Sequence, residues 1–402
     1  MMKNKLIAVA VIFCIATTMF IGCADNKSSF ETDKLIISAP YNGGEADILR
    51  PEAREYLNAE TVSEQINILS ENSGVILDDQ YLAIKWESDG GREYDLYLSD
   101  NESLDNADIF HTRFQTEVNI GGALVPGQTY YYKIVGKNKE SSVDSFKVKD
   151  VPLRTVTVDG AHNIRDLGGW KTENGQIVYG KIYRGGKLNN GESCALTESG
   201  KTVMLEKLGI KTEIDLRFKN ADDGGQKESV LGSNVNYLKA GFNAYSCILP
   251  EFQNYGEYKR SYYIGATSAI KKVFEMLADE NNYPVYFHCN AGADRTGTLA
   301  ALIESIMGVS EEDIIRDYEF TSFSIYGARY RGKIEKKNFV NGVMQDDRDN
   351  FVAFGLFIDD LKRYYGEENG ELMIAIENYL KQACGVTDDE LNSIRRILQS
   401  KV

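Results

Sequence analysis

Two hydrophobic spacings divide this chain. In its first third apolar residues alternate with polar ones: Leu82, Ile84 and Trp86, then Tyr94, Leu96 and Leu98, then Tyr130, Tyr132 and Ile134. Period two marks strands with one buried face, and the separators are turn-rich, as in Ser88-Asp89-Gly90-Gly91. The stretch 45–68 in front tolerates helix and fits an all-β unit poorly. From about Pro152 the spacing is mixed. Residues 212–216 and 283–288 read as short strands, whereas Ile264, Ile270, Val273, Phe274 and Leu277 recur at helical intervals. Beyond residue 296 the pattern is mostly helical, with Ser310-Glu311-Glu312-Asp313 and Thr387-Asp388-Asp389-Glu390 shaped as capped helix starts. Strands and helices in alternation predict an α/β unit with a largely parallel sheet. The expected organisation is a leader and tether over 1–32, an all-β unit over 33–150 and an α/β unit over 151–402.

The leader has its own pattern. Lys3 and Lys5 precede an apolar run over 6–21, followed by Gly22-Cys23 and polar Ala24-Asp25-Asn26-Lys27. A positive start, an apolar middle and a small residue before the cut predict an export signal. The run is slightly short for a membrane span and contains Thr17 and Thr18. Phe20-Ile21-Gly22-Cys23 resembles a bacterial lipobox, with Phe20 where Leu is usual. The resemblance implies acylation of Cys23 and an exported, membrane-anchored protein of the bacterial cell envelope.

A net charge of −15 at pH 7 argues against a nucleic-acid surface and against broad adhesion to anionic lipid. Any phosphate pocket must then be a local positive focus. Behind the leader, which holds Cys14 and Cys23, stand Cys194, Cys247, Cys289 and Cys384 without regular spacing. That is neither a disulfide framework nor a zinc site, although a bridge from Cys384 to Cys194 or Cys247 is an alternative. With three His in the chain, no metal and no cofactor is expected.

The chemistry concentrates in Tyr286-Phe287-His288-Cys289-Asn290-Ala291-Gly292-Ala293-Asp294-Arg295-Thr296-Gly297-Thr298. A short Gly/Ala-rich loop here joins an apolar strand to an apolar helix. Inward N–H groups and the positive helix end can hold a phosphate, and the same field favours a thiolate at Cys289. Arg295 offers a two-pronged donor matched to two phosphate oxygens. The residues by themselves describe a cysteine-dependent phosphatase.

His-Cys-x-Ala-Gly-x-Asp-Arg-Thr-Gly resembles the protein tyrosine phosphatase superfamily and, within it, the bacterial lipid-phosphatase-like tyrosine phosphatases. Further matches follow in family order: Asn163-Ile164-Arg165-Asp166-Leu167-Gly168-Gly169, Ile182-Tyr183-Arg184-Gly185-Gly186, Ile214-Asp215-Leu216-Arg217, and helical repeats at Gly308-Val309-Ser310 and Gly385-Val386-Thr387. Gly185 stands where the family usually has Ser, and Ala293 where it usually has Lys. In the all-β unit, Leu124-Val125-Pro126-Gly127-Gln128-Thr129-Tyr130 resembles a turn of fibronectin type III domains, which implies a tyrosine corner at Tyr130. The implied fold class is an α/β tyrosine-phosphatase-like catalytic domain behind an all-β fibronectin type III-like sandwich.

The family resemblance implies that Cys289 attacks phosphorus and that water releases the cysteinyl-phosphate. Arg295 and the backbone of Asn290, Ala291, Gly292, Ala293 and Asp294 bind the phosphate oxygens. Thr296 donates to the sulfur, and His288 orients the loop from behind. Asp294 is the favoured general acid and Asp215 the runner-up, the other reading of Asp215 being a structural pair with Arg165, Arg184 or Arg217. Losing the loop Lys to Ala293 favours phosphotyrosine, with dual specificity, over phosphoinositides or inositol polyphosphates, unless Arg165, Arg184 or Arg217 restores the charge. The expected partners are a phosphorylated protein or small phosphoester, the membrane through the lipid anchor, and a protein docked on the sandwich. The rival class is a catalytically silent surface protein that binds phospho-ligands.

Overall fold

The computed structural model describes residues 35–399 apart from 36, 40–42, 77–80, 122–123, 190–194, 220–224, 246–248, 250–256, 328, 332–338, 341–342, 345–349 and 368–369. The leader, Cys23, Cys194 and Cys247 lie outside the described residues.

The alternating segments are strands. Leu82–Trp86 joins Ile37–Ala39 and Glu117–Ile120 in a three-stranded sheet, while Glu93–Ser99 and Thr129–Gly136 pair within a five-stranded one. Ile84 and Trp86 from the first sheet and Leu96, Tyr132, Ile134 and Phe146 from the second share one buried core. Their period-two inward faces are what hold the two sheets together. The Val125 N–H donates to Tyr130 Oη at 2.9 Å, closing the turn in front of its strand.

The helix-tolerant stretch belongs to a different core. It supplies α1 (Pro51–Asn58) and α2 (Val62–Asn72), the second opened by a reciprocal capping box between Thr61 and Glu64. Leu49, Ala53, Tyr56 and Leu69 are buried with the residues of the α/β unit, not with those of the sandwich. Tyr56 Oη donates to Glu319 Oε2 at 2.8 Å, and Arg331 bridges Glu319, Glu312 and Gln65. These helices are therefore mounted on the α/β unit through a buried polar cluster as well as through apolar contact.

The α/β unit is built on a six-stranded sheet. Its strands are β1 (Arg154–Thr155), β2 (Arg165–Asp166), β3 (Ile182–Gly185), β4 (Thr212–Asp215), β5 (Asn236–Lys239) and β6 (Val285–His288), in the order β5-β4-β6-β3-β2-β1. The pairs β5–β4, β4–β6 and β6–β3 are parallel; β2 and β1 run antiparallel. Ile182, Ile214, Val285 and Phe287 face the large core with the helices. One residue out of step, Tyr183 and Tyr286 face a smaller core with Met204, Leu208 and Leu231. Strand alternation thus covers both faces.

Helix α3 (Glu257–Leu277) buries Ile270, Val273, Phe274 and Leu277 but leaves Ile264 exposed. Helix α4 (Asp294–Ile306) follows β6 directly, and α5 (Glu311–Phe320) starts on a Ser310 cap. The layer is completed by α6 (Asn350–Tyr365), α7 (Leu372–Tyr379) and α8 (Asp388–Leu398), the last opened by a Thr387–Glu390 capping box. The last of these six strands in sequence, β6, is inserted between β3 and β4. That is a switch point, where a parallel sheet opens a crevice at the carboxyl ends of its strands.

Replacing Tyr56 with Phe removes the donor to buried Glu319. Urea unfolding is expected to show a loss of about 1–3 kcal/mol, with the midpoint lowered and the slope unchanged.

Candidate active site

The segment from Cys289 to Ala293 leaves the end of β6 and enters α4. Its carbonyls are tied outward one after another. His288 Nδ1 lies 3.1 Å from the Cys289 oxygen, the Lys187 N–H donates to Asn290 O at 3.1 Å, and Asn163 Nδ2 donates to Ala291 O at 3.0 Å and Gly292 O at 3.1 Å. Arg184 Nη2 donates to Gly292 O at 2.8 Å. In a trans peptide the next N–H points opposite to the carbonyl. Fixing the oxygens of 289–292 outward therefore turns the N–H groups of Asn290, Ala291, Gly292 and Ala293 inward. Helix α4 adds the positive end of its dipole at the same place. The loop is an anion cradle.

Two close approaches set the loop's shape. Gly292 has φ +69°, and a Cβ there would collide with the backbone of Gly185 and Gly186. Asn163 is also left-handed, at φ +59°, which Asn tolerates better than most residues and which suits its reach to two loop carbonyls. At Gly185, where the family usually has Ser, a Cβ would lie 2.5 Å from Tyr286 Oη. Tyr286 Oη donates to Gly186 O at 2.5 Å, so the tyrosine occupies the space that a side chain at 185 would need.

The arginines in the strand motifs support the site from behind. Arg165 and Arg184 are 1% and 0% exposed and share the buried carboxylate of Asp317. Arg165 Nη1 also donates to Asn163 Oδ1 at 2.6 Å, which holds that amide in its loop-binding orientation. Arg217 grips Asp215 with two donors, Nε at 2.9 Å and Nη2 at 2.7 Å. Lys239 and Tyr237 also donate to Asp215, at 2.7 Å and 2.9 Å. Burial pushes the Asp215 carboxyl up, but the Arg217 bonds, the neighbouring His288 charge and Lys239 outweigh it and hold it well below the usual carboxylate range.

Asp294, by contrast, reaches solvent, with a side chain 32% exposed. Tyr245 Oη donates to its Oδ1 at 2.6 Å and Arg329 Nε at 2.9 Å. Cys289 is 3% exposed, Arg295 starts the helix beside it, and Arg295 Nη1 lies 3.5 Å from Leu216 O. The Thr296 hydroxyl is buried and has no hydrogen-bond partner among the described residues, the Cys289 sulfur included. Burial pushes the thiol of the other described free cysteine, Cys384, up to about 12.

The sequence model described as Tyrosine phosphatase family matches residues 156–400, more than half of the chain. The chain belongs to the tyrosine phosphatase family. Among curated relatives it is similar to a tyrosine-protein phosphatase of Nostoc commune, 24% identical over 215 residues, which cover 50% of this chain and 69% of that protein. A Cupriavidus necator relative is 26% identical over 183 residues, covering 40% of this chain and 61% of that protein, less than two thirds of its length. Among solved structures it is similar to the core catalytic domain of the PP-IP phosphatase SIW14 from S. cerevisiae in complex with citrate. That match has 14% identity, covers 51% of this chain and 97% of the other, and has a TM-score of 0.27. P. aeruginosa TpbA gives 13% identity, coverage of 58% and 98%, and a TM-score of 0.28. The protein is thus a phosphatase hydrolase by family.

Within that family framework the structure brings together every loop residue singled out by sequence and sends Arg165, Arg184 and Arg217 into buried pairs. Sequence reasoning missed Asp317, Glu213, Tyr245 and Arg329. A second carboxylate two residues ahead of Asp215 in the short strand Thr212–Asp215 was a readable signal for Glu213; Arg329 carried none.

Gly185→Ser should destabilise the protein by about 1–3 kcal/mol through overpacking. Tyr286→Phe should recover part of that loss in the double variant, because Ile164 also crowds the site. Thermal unfolding of the four proteins in the cycle measures the coupling.

Proposed function

We propose that the protein hydrolyses phosphomonoesters through a cysteinyl-phosphate, with phosphotyrosine as the leading substrate class and dual specificity within reach. The observation that carries this is the loop whose carbonyls are all tied outward around Cys289. A dianionic phosphoryl group entering it meets inward N–H groups, the start of α4 and Arg295. Cys289 Sγ attacks phosphorus and the ester oxygen leaves with a proton; water then attacks the thiophosphate ester and the sulfur departs as thiolate. Arg295 and the N–H groups bind most tightly when charge spreads over the equatorial oxygens. In this reading Thr296, whose buried hydroxyl lacks a partner among the described residues, donates to the sulfur as it leaves.

Asp294 is the better-supported acid. Asp215 is fully buried and clamped by Arg217 and Lys239, which fits a structural pair. Asp294 is partly exposed at the mouth of the loop, where Arg329 binds its carboxylate. An incoming phosphoester is the anion that competes for Arg329. Because Arg165, Arg184 and Arg217 are spent on buried partners, they do not make up for the missing loop lysine at Ala293. This supports monoesters over multiply phosphorylated inositol head groups.

The front of the chain is read similarly. Cys23 acylation and export remain our reading of the leader. Among the described residues no helix is long and apolar enough to cross a membrane. The Val125–Tyr130 bond supports a fibronectin type III-like sandwich, a module suited to docking another protein.

Three measurements test the reading. Cys289→Ser should abolish turnover of aryl phosphates while phosphate-analogue binding persists. Asp294→Asn should cost about 10²–10⁴-fold on substrates with poor leaving groups and much less on activated ones, as general acid catalysis requires. Equal losses on both, with the leaving-group dependence appearing in Asp215→Asn, would transfer the role. Mass spectrometry of the native protein should find no unmodified peptide spanning residues 21–25.

A further inference from the structure

Behind the loop, Glu213 and His288 are both fully buried, and Glu213 Oε1 lies 3.0 Å from His288 Nε2. The proton count of this pair can be read from its neighbours. His288 Nδ1 faces the Cys289 carbonyl at 3.1 Å, and a carbonyl only accepts, so Nδ1 carries a hydrogen. Gln226 Oε1 accepts from Arg217 Nη2 at 2.8 Å, which leaves its amide nitrogen to donate to Glu213 Oε1, also at 2.8 Å. Ser229 Oγ accepts from the Leu231 N–H at 3.1 Å and donates to Glu213 Oε2 at 2.5 Å. Both oxygens of Glu213 thus accept hydrogen bonds, which favours the ionised carboxylate. The hydrogen between the two residues then sits on His288, and both ring nitrogens donate.

We propose that Glu213 is a positioning residue that fixes His288 as an imidazolium beneath the phosphate loop. This rests on the reading of Cys289 as a thiolate nucleophile. The positive charge is one residue from Cys289 and hydrogen-bonded to its carbonyl, so it polarises the peptide that leads into the loop and favours charge on the sulfur. Other titratable groups face the pair. Tyr286 stacks on the His288 ring at 5.5 Å between centroids, Asp215 lies beside His288 in register, and Tyr237, Lys239 and Arg217 bind Asp215. Because Asp215 already has Arg217 and Lys239, Glu213 is the carboxylate left to balance the imidazolium.

The test reads the thiol directly and needs no substrate. Alkylation of Cys289 by iodoacetamide is followed against pH by mass spectrometry of its peptide, in the full chain and in Glu213→Gln. Glu213→Gln should move the midpoint upward by about one pH unit, which is roughly a tenfold slower reaction below the midpoint. Glu213→Asp should restore most of the shift. A superimposable profile in folded Glu213→Gln overturns the proposal. Should that variant not fold, selective ¹⁵N-histidine labelling of the unmutated protein decides. His288 should show two protonated ring nitrogens at pH 7, and a neutral tautomer would overturn the assignment. A wild-type protein without phosphatase activity, whose alkylation midpoint still moves upward in Glu213→Gln, would overturn the catalytic reading and uphold the pairing.

Discussion

Everything at this site depends on one constraint, the outward fixing of the loop's carbonyl oxygens. A five-residue backbone segment has no intrinsic reason to present consecutive N–H groups to one point. Here the opposite ends of the same peptides are bound by Asn163 just before β2, Arg184 and Lys187 at the end of β3, and His288 at the end of β6. Any orphaned carbonyl would cost the desolvation of a buried acceptor, so the loop is held by the same bonds that satisfy it. Gly292 is the conformational counterpart. Its left-handed φ and the absence of a side chain let the loop lie against Gly185 and Gly186.

The electrostatics follow from where each charge is spent. Four arginines near the loop occupy different states, although a motif makes three of them look alike. Arg165 and Arg184 are buried supports with Asp317 as shared counter-ion, and Arg217 is locked to Asp215. Arg295 stands in the first turn of α4, where phosphate would arrive. Buried pairs of this kind add little net stability but become costly if one partner is removed. They fix geometry, which is what a phosphate cradle needs.

Much of this was legible in the sequence, and the limit has a physical form. Period-two spacing revealed the sandwich strands, and the caps at Ser310 and Thr387 marked real helix starts because capping is local. Cys289 through Arg295 was legible because a phosphate loop is a contiguous segment between a strand and a helix. Asn163 and Arg184 stood in recognisable motifs, but their partners are 128 and 108 residues away, and nothing local says that they reach loop carbonyls. Arg329 was invisible for the same reason. Residues 45–68 were legible as helical but not as to which core they join, since an amphipathic face states that it needs cover and not what provides it.

The segment after α5 carries Arg329 to Asp294 and, two residues later, Arg331 to Glu319, Glu312 and Gln65 of α2. The Gly74 N–H donates to Ser322 O at 3.0 Å, just ahead of the same segment. Tyr56 reaches Glu319 from α1. Helices inserted between the first strands of the sandwich and the rest of it therefore brace the stretch that positions the partner of Asp294. Removing them would expose the buried faces of Leu49, Ala53, Tyr56 and Leu69 and leave Glu319 and Arg331 without the partners that α1 and α2 supply. The front of the chain is structurally part of what surrounds the site, even though every residue of the phosphate loop itself lies more than 200 positions downstream of α2.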